Sequence, residues 1–424
     1  MNLPMSEKHC DTLIIGAGAA GLMAGIRAAQ RGQRVLILEK MDRPGRKLLI
    51  TGKGRCNVTN CCTVEEFMGN VLTNRRFLYS CLNALNPYEV MGFFEECGIP
   101  LKVERGERVF PVSDRASDIV DALVRRATDS GCRITQACVR SLLLEPDEEG
   151  RTHVCGVVTE DEQEIRSHSV IIATGGKSYP MTGSTGDGYR LARQAGHQVT
   201  PLRPSLIPIV CEEKLCRDMM GLSLKNVTLT VVDTVSGKEV FSELGEMLFT
   251  HFGVSGPLVL SASCHMQPDK NGSLSRYRLY IDWKPALSEQ QLDARILRDF
   301  EQFINKDFIN SLGLLLPKKS IQIIAGLSGI PFETKINQIT KAQRTALIQV
   351  MKAMPLTPKV FRPIEEAIVT AGGVDVAQVN PKTMESKLVD GLYFAGEVLD
   401  VDGYTGGFNL QIAFSTGFAA GTYC

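Results

Sequence analysis

Three glycines carry the sharpest chemical signal in the chain. Gly16, Gly18 and Gly21 form a GxGxxG run at the end of an apolar stretch that begins near Asp11. A helical stretch, Leu22 to Arg31, follows, then Gly32, then a second apolar run, Val35 to Leu38, closed by Glu39. This order of strand, turn, helix, strand and acid is that of a βαβ unit that binds a dinucleotide. Gly16 permits the tight turn, Gly18 lets the backbone approach a pyrophosphate, and Gly21 lets helix and strand pack closely. Ala19 and Ala20 complete the turn, and the helix N-terminus faces the phosphates. Glu39, with Lys40 beside it, can accept hydrogen bonds from a ribose diol. A lone GxGxxG would be weak, but here every element of its context lies within one short segment.

Two later segments read as returns to the same sheet. Ser169 to Ala173 is an apolar strand ending in Thr174-Gly175-Gly176, and Gly391 to Ala395 runs into Gly396-Glu397. A chain that leaves its nucleotide domain and comes back near its end is the pattern of FAD-dependent flavoproteins, so FAD is the expected cofactor. The stretch Gly45 to Asn60 is glycine-rich and cationic at Arg46, Lys47, Lys53 and Arg55. It reads as a loop along the pyrophosphate and ribityl chain with Cys56 and Asn57 near the flavin; the plainer alternative is an exposed basic loop. Thr174, Gly175, Gly176, Gly396 and Glu397 would add backbone contacts and one acid. Gly406-Gly407-Phe408-Asn409-Leu410-Gln411 opens the last helix. A helix N-terminus there would stabilise negative charge on the pyrimidine edge of a reduced flavin.

These motifs sit in a chain of 424 residues, with 44% hydrophobic and 22% charged residues, which suits a soluble globular protein of about two to four domains. Lys+Arg and Asp+Glu are 47 each, and there is a single Trp. That balance gives no basic excess and little stacking surface, so no nucleic-acid partner is expected and the partner is a small-molecule substrate. No signal peptide or long apolar span is visible, so a cytoplasmic protein with no membrane partner is expected. Thirteen cysteines without a CxxC read as reduced thiols, which excludes a dithiol–disulfide reductase and gives no metal spacing. His9, His153, His168, His197 and His265 carry no metal-like spacing either.

From about Pro201 the pattern changes to short alternating strands, then to helical stretches at Ser288 to Phe303, Pro317 to Leu327 and Thr340 to Met354. A β-rich return, Lys359 to Val369, leads into Ala371-Gly-Gly373 and the final nucleotide-domain segment.

Three segments are specific enough to carry a family resemblance: Gly45 to Asn60, Leu248-Phe-Thr-His-Phe-Gly-Val-Ser-Gly-Pro257, and Gly396 to Ala413. Together they resemble the BaiN/YhiN-like (HI0933-like) family of bacterial flavoproteins, from about residue 10 to the C-terminus. The resemblance implies an α/β fold: a glutathione-reductase-type FAD-binding Rossmann domain interrupted by a β-barrel-like domain that carries a small helical domain. The expected boundaries are 1–199 and 371–424 for the FAD domain, 200–286 and 355–370 for the β-barrel-like domain, and 287–354 for the helices. Folds of this kind make a backbone contact to adenine at the position of Val139. The second of these segments puts His251 in a loop of the inserted domain, where it would protonate or position substrate, the alternative being a structural histidine. Tyr179 and Tyr404, in glycine-rich loops beside flavin motifs, are candidate donors to a substrate carbonyl.

The resemblance implies an oxidoreductase, with reduction of an activated C=C of a 3-oxo-steroid or bile-acid enone as the favoured reaction. NADH or NADPH would be a transient donor, since no second GxGxxG exists to hold one. The rivals are an oxidase of aminoacetone-like amines and a flavin-containing nucleic-acid-modifying or redox-sensing protein.

Overall fold

The computed structural model describes residues 9–146 and 148–424. The chain divides into two compact units, one formed by Met1–Ser205 with Ile364–Cys424 and the other by Leu206–Pro363. The breaks lie a few residues from the expected 199 and 371. The short antiparallel pair Arg203–Ser205 and Val369–Ala371 joins both crossings, and it belongs to the first of these units.

The first unit is built on a seven-stranded sheet. Its parallel strands run in the order Arg133–Gln136, Val35–Glu39, His9–Ile15, Glu164–Ile172. Glu164–Ile172 divides its far edge between two partners. Its first half pairs antiparallel with Thr152–Thr159, and its second half pairs parallel with the late strand Leu392–Phe394. Val139–Pro146 completes the sheet beyond Thr152–Thr159. The stretches Leu13-Ile-Ile15 and Val35-Leu-Ile-Leu38 are continuously apolar because they are buried on both faces of the sheet.

Helix Ala19–Gln30 is buried along nearly its whole length, with the sheet on one side and the last helix, Phe408–Tyr423, on the other. Small residues make that sandwich possible. A Cβ on Gly417 would lie 2.3 Å from the Ala20 carbonyl oxygen, and one on Gly421 2.2 Å from that of Ala24. The same unit carries a three-stranded sheet, Thr59–Asn60, Arg108–Pro111 and Leu101–Glu104.

The second unit holds an antiparallel seven-stranded sheet. Its two edge strands, Met354–Leu356 and Pro358–Phe361, are separated in the chain by one residue, so the sheet must roll until its edges meet. Helices Glu289–Glu301 and Lys341–Lys352 begin with capping boxes, Ser288 with Gln291 and Thr340 with Gln343. These helices and Lys318–Leu327, expected as a domain of their own, share one apolar core with the sheet, through Leu292, Ile296, Ile324 and Leu347 against Leu229, Val231 and Leu279. Among the described residues no helix is long and apolar enough to cross a membrane. All thirteen cysteines are free thiols.

Candidate functional site

The first turn shows what each glycine is for. Gly16 has φ +101°, and a Cβ there would lie 2.7 Å from the Ala173 carbonyl oxygen. A Cβ on Gly21 would lie 1.9 Å from the Gly16 carbonyl oxygen, so nothing larger fits between helix and turn. At Gly18 a Cβ would meet nothing within 4 Å. Gly18 is also the N-cap of helix Ala19–Gln30 and offers no side-chain cap, which leaves the amides of the first turn for an incoming anion. Glu39 is fixed at the end of its strand, accepting from the Ala17 amide at 2.8 Å and the Met41 amide at 2.9 Å. Each carboxylate oxygen retains a lone pair for a diol.

A charged knot ties four segments together. Lys47 Nζ donates to Glu397 Oε2 and Ser178 Oγ, both at 2.7 Å, and Glu397 Oε1 accepts from the Thr370 amide at 2.9 Å. A Cβ on Gly176 would lie 2.5 Å from Thr370 Oγ1 and 2.6 Å from Glu397 Oε1, so that glycine lets the strand end approach the acid. Ser178 and Thr370 were not among the expected site residues; nothing in their local sequence marks them. Thr174 Oγ1, at the start of the same turn, is buried without a hydrogen-bond partner among the described residues.

The loop after the short helix Arg46–Ile50 is strained. Gly52, Lys53, Gly54 and Cys56 all have positive φ, and for Lys53 and Cys56 that conformation costs energy. Cys56 is fully buried, and burial pushes its thiol up to about 12, so it is a packed thiol rather than a nucleophile. Asn57 Oδ1 next to it is buried with no partner among the described residues. Gly45, at φ +70°, donates its amide to the Ala17 carbonyl and so docks this loop on the glycine turn.

The C-terminal motif closes over this region. Gly407, at φ +99°, caps helix Phe408–Tyr423 against the Thr59 backbone, where a Cβ would lie 2.3 Å from the carbonyl. Asn409 folds the preceding loop, accepting from the Gly403 amide at 2.9 Å and donating to the Gly403 carbonyl at 2.8 Å. Asp402 in that loop is 2% exposed; one oxygen accepts from Ser205 Oγ at 2.7 Å and the other has no partner among the described residues. It lies inside the Gly396 to Ala413 motif, which is the signal that could have singled it out.

Several expected contacts are otherwise engaged. Lys40 pairs with Asp187 at 2.6 Å and Arg46 with Asp42 at 2.8 Å. Arg55 pairs with Glu104 at 2.8 Å and stacks 4.0 Å over Phe110. Val139 gives its carbonyl to Arg190 at 3.0 Å. Gln411 is fully buried and bonds to Thr59, Ser415 and the Leu85 carbonyl, and Phe408 packs edge-on to Phe67. These two hold the helix in place. Leu410 is partly buried against the same core.

Tyr179 and Tyr404 belong to the first unit. Tyr179 has φ +52°, its amide donates to the Glu365 carbonyl, and burial, with Glu366 nearby, holds its phenol above the usual range. Tyr404 donates its amide to the Asn70 carbonyl. His251 belongs to the second unit, exposed in the tight turn between Lys238–Thr250 and Gly253–Ser255 and edge-on to Phe252.

An open helix N-terminus, a glycine face clear of neighbours, a fixed acid and buried unpartnered oxygens at Asn57 and Thr174 fit an extended dinucleotide such as FAD. Comparison with known proteins points the same way. The chain is 33% identical over 409 residues to the ribosomal RNA dihydrouridine synthase of Escherichia coli K12, covering 96% of each. It is 33% identical over 419 residues to the 3-dehydro-bile acid delta(4,6)-reductase of Clostridium scindens, covering 96% of this chain and 97% of that one. A Haemophilus influenzae ribosomal RNA dihydrouridine synthase is 32% identical, covering 97% and 98%. Among solved structures, the 3-ketosteroid delta1-dehydrogenase of Sterolibacterium denitrificans superposes with a TM-score of 0.52 at 12% identity, covering 98% of this chain and 99% of that one, a likeness of fold. The family model described as HI0933-like protein Rossmann domain matches residues 10–423, and the chain therefore belongs to the HI0933-like family of FAD-dependent oxidoreductases.

Proposed function

We propose that this protein is a FAD-dependent reductase of a carbon–carbon double bond conjugated to a carbonyl. One observation carries the reading. The chain is equally similar, over nearly its full length, to a delta(4,6)-reductase of 3-oxo bile acids and to a dihydrouridine synthase. Dihydrouridine is uridine with its 5,6-bond saturated, and in both substrates the bond reduced is conjugated to a carbonyl. The bond type is common to the relatives; the molecule around it differs. FAD, when bound, supplies hydride transfer between an electron donor and the substrate.

The protein's own part is binding and charge. The amides after Gly18 would hold the pyrophosphate, Glu39 the ribose, and the turns at Thr174 to Gly176 and Gly396 the middle of the cofactor. The first turn of helix Phe408–Tyr423, held by Gln411 and Asn409, would place positive potential at the flavin pyrimidine edge. A carbonyl that becomes enolate-like needs a hydrogen-bond donor. Tyr404, in the loop pinned by Asn409, and Tyr179, whose phenol stays protonated at neutral pH, are the candidates, with His251 a third.

The first substrate class is a 3-oxo-steroid or bile-acid enone, with NADH or NADPH as donor. The second reading, uridine in ribosomal RNA, is favoured by the two dihydrouridine synthases among the relatives. The purified protein should show an oxidised flavin band that bleaches anaerobically on adding NADH or NADPH. Reoxidation by a 3-oxo-Δ4-steroid supports the first substrate, and reoxidation by unmodified ribosomal RNA but not the steroid supports the second. A flavin that ignores both nicotinamides and bleaches with a primary amine would overturn the reductase reading.

A further inference from the structure

The hairpin formed by Val139–Pro146 and Thr152–Thr159 carries a side-chain cluster that the dinucleotide site does not use. Glu145 pairs directly with His153 across the two strands. Two residues beyond His153, the register slips: Leu143 faces Gly156 and Leu144 faces Val154, so Cys155 is the extra residue of a β-bulge. A bulge re-aims the side chain it carries. Gly156, at φ +141°, makes the bulge possible, because a Cβ there would lie 2.0 Å from the Ile165 carbonyl oxygen. The result is that one ligand atom each from Glu145, His153 and Cys155 lie within 4.8 Å of one another.

Two details suit this trio to a cation. Nδ1 of His153 is buried and has no hydrogen-bond partner among the described residues, which is costly for a ring nitrogen left alone. Arg166, on the neighbouring strand, bonds to Oε1 of Glu145 at 2.8 Å, and the Cys155 thiol hydrogen-bonds to the same carboxylate, so two of the three ligand groups already face each other. A metal-bound carboxylate held by an outer hydrogen bond is the usual arrangement.

We propose that Glu145, His153 and Cys155 form a binding site for a borderline-soft divalent cation of the zinc class, with water completing the coordination. One thiolate, one imidazole and one carboxylate are the ligand types zinc takes, whereas magnesium and calcium prefer oxygen alone. The ligands stand on paired strands of the main sheet, so the site is preformed. The sequence reading had given His153 no role, because the spacing that matters runs across the hairpin and through a bulge.

The test uses the flavin-loaded protein, treated with a chelator, dialysed, and titrated separately with Zn2+ and Co2+. The wild type should bind one equivalent of Zn2+ more than Cys155→Ser. With Co2+ it should show the strong long-wavelength bands of a tetrahedral thiolate site, beyond the flavin absorption. Cys155→Ser should abolish those bands, and His153→Ala and Glu145→Gln should weaken Co2+ binding by about tenfold or more. No bands in the wild type would overturn the proposal. Equal bands in the wild type and all three variants would also overturn it, since another thiol would then be binding the ion adventitiously. Should Cys155→Ser fail to fold, Glu145→Gln, at an exposed position, decides the matter with His153→Ala.

Discussion

Adding one methyl group at Gly18 and one at Gly21 separates cofactor binding from folding. At Gly21 the new Cβ would lie 1.9 Å from the Gly16 carbonyl oxygen and 3.3 Å from Ile14 Cγ2. Real Cβ atoms stay beyond 3.0 Å, so the helix must move by about an ångström from a turn that is itself held by Ala173. Backbone against backbone has no rotamer to relieve it, and Gly21→Ala should destabilise the apoprotein by about 3 kcal/mol. At Gly18 the Cβ meets nothing within 4 Å, and φ −85° suits alanine. The loss of a good N-cap residue is offset by a less flexible unfolded chain, so Gly18→Ala should leave apoprotein stability within about 0.5 kcal/mol. The same methyl would stand between the helix amides and a pyrophosphate, a crowding cost of about 1–3 kcal/mol, or about 5- to 150-fold in the Kd for FAD. Urea unfolding of both apoproteins and FAD titration by flavin fluorescence give the two numbers. A Gly18→Ala protein that binds FAD like the wild type would refute the placement of the pyrophosphate. One that unfolds as readily as Gly21→Ala would refute the steric argument.

Lys47→Met should cost about 1–2 kcal/mol, since it leaves the carboxylate of Glu397, 18% exposed, with only the Ser178 hydroxyl and the Thr370 amide. The double variant with Glu397→Gln should recover part of that loss, and a thermal melt unchanged in Lys47→Met would sink the idea. Gln411→Ala strands the Thr59 hydroxyl in the core and leaves the Leu85 carbonyl with its bond from Ser415 Oγ alone, so it should lose about 1–3 kcal/mol in urea unfolding while FAD affinity changes less than about twofold. A large fall in affinity with stability intact would make Gln411 a cofactor ligand after all. His197 is buried beside Ser386 and Phe394, and burial lowers its pKa from 6.5 to about 4. The unfolded chain takes up the proton first, so stability should be full above pH 6.5 and fall by about 3 kcal/mol on going down to pH 4. His197→Asn should flatten that part of the pH profile, and an identical profile in the variant would show that other groups set it.

The nucleotide-binding half was readable because its constraints are local. Gly16, Gly18, Gly21 and Glu39 lie within one βαβ unit, and each has a backbone reason visible in the type of residue. The returns at Thr174 to Gly176 and at Gly396 were readable for the same reason, as apolar runs ending in glycine. Partner choice was not readable. Lys40, Arg46 and Arg55 look alike in sequence as cations in or beside a glycine-rich loop, yet they pair with Asp187, Asp42 and Glu104. Only Lys47 reaches Glu397, and the residues that complete that knot, Ser178 and Thr370, come from two other segments. Gln411 looked like a polar group near a helix start, but helix periodicity turned it inward. The three helices of the second unit had the right pattern and the wrong independence, because a helix pattern shows which face is apolar and not what covers it.

The pairing of helix Ala19–Gln30 with helix Phe408–Tyr423 also sets an order of assembly. On a ribosome the first helix leaves the exit tunnel long before the second exists, with the carbonyls of Ala20 and Ala24 still lacking the glycine surface that will seat against them. Through most of translation its outer face must stay uncovered or be screened by a chaperone. The strand Leu392–Phe394 and the turn at Gly396 are also late arrivals, so the dinucleotide cleft is finished only when the last segment docks. With FAD held as proposed, loading would follow translation, and a nascent chain stalled before Phe408 should be unable to retain flavin however well its first glycine turn has formed.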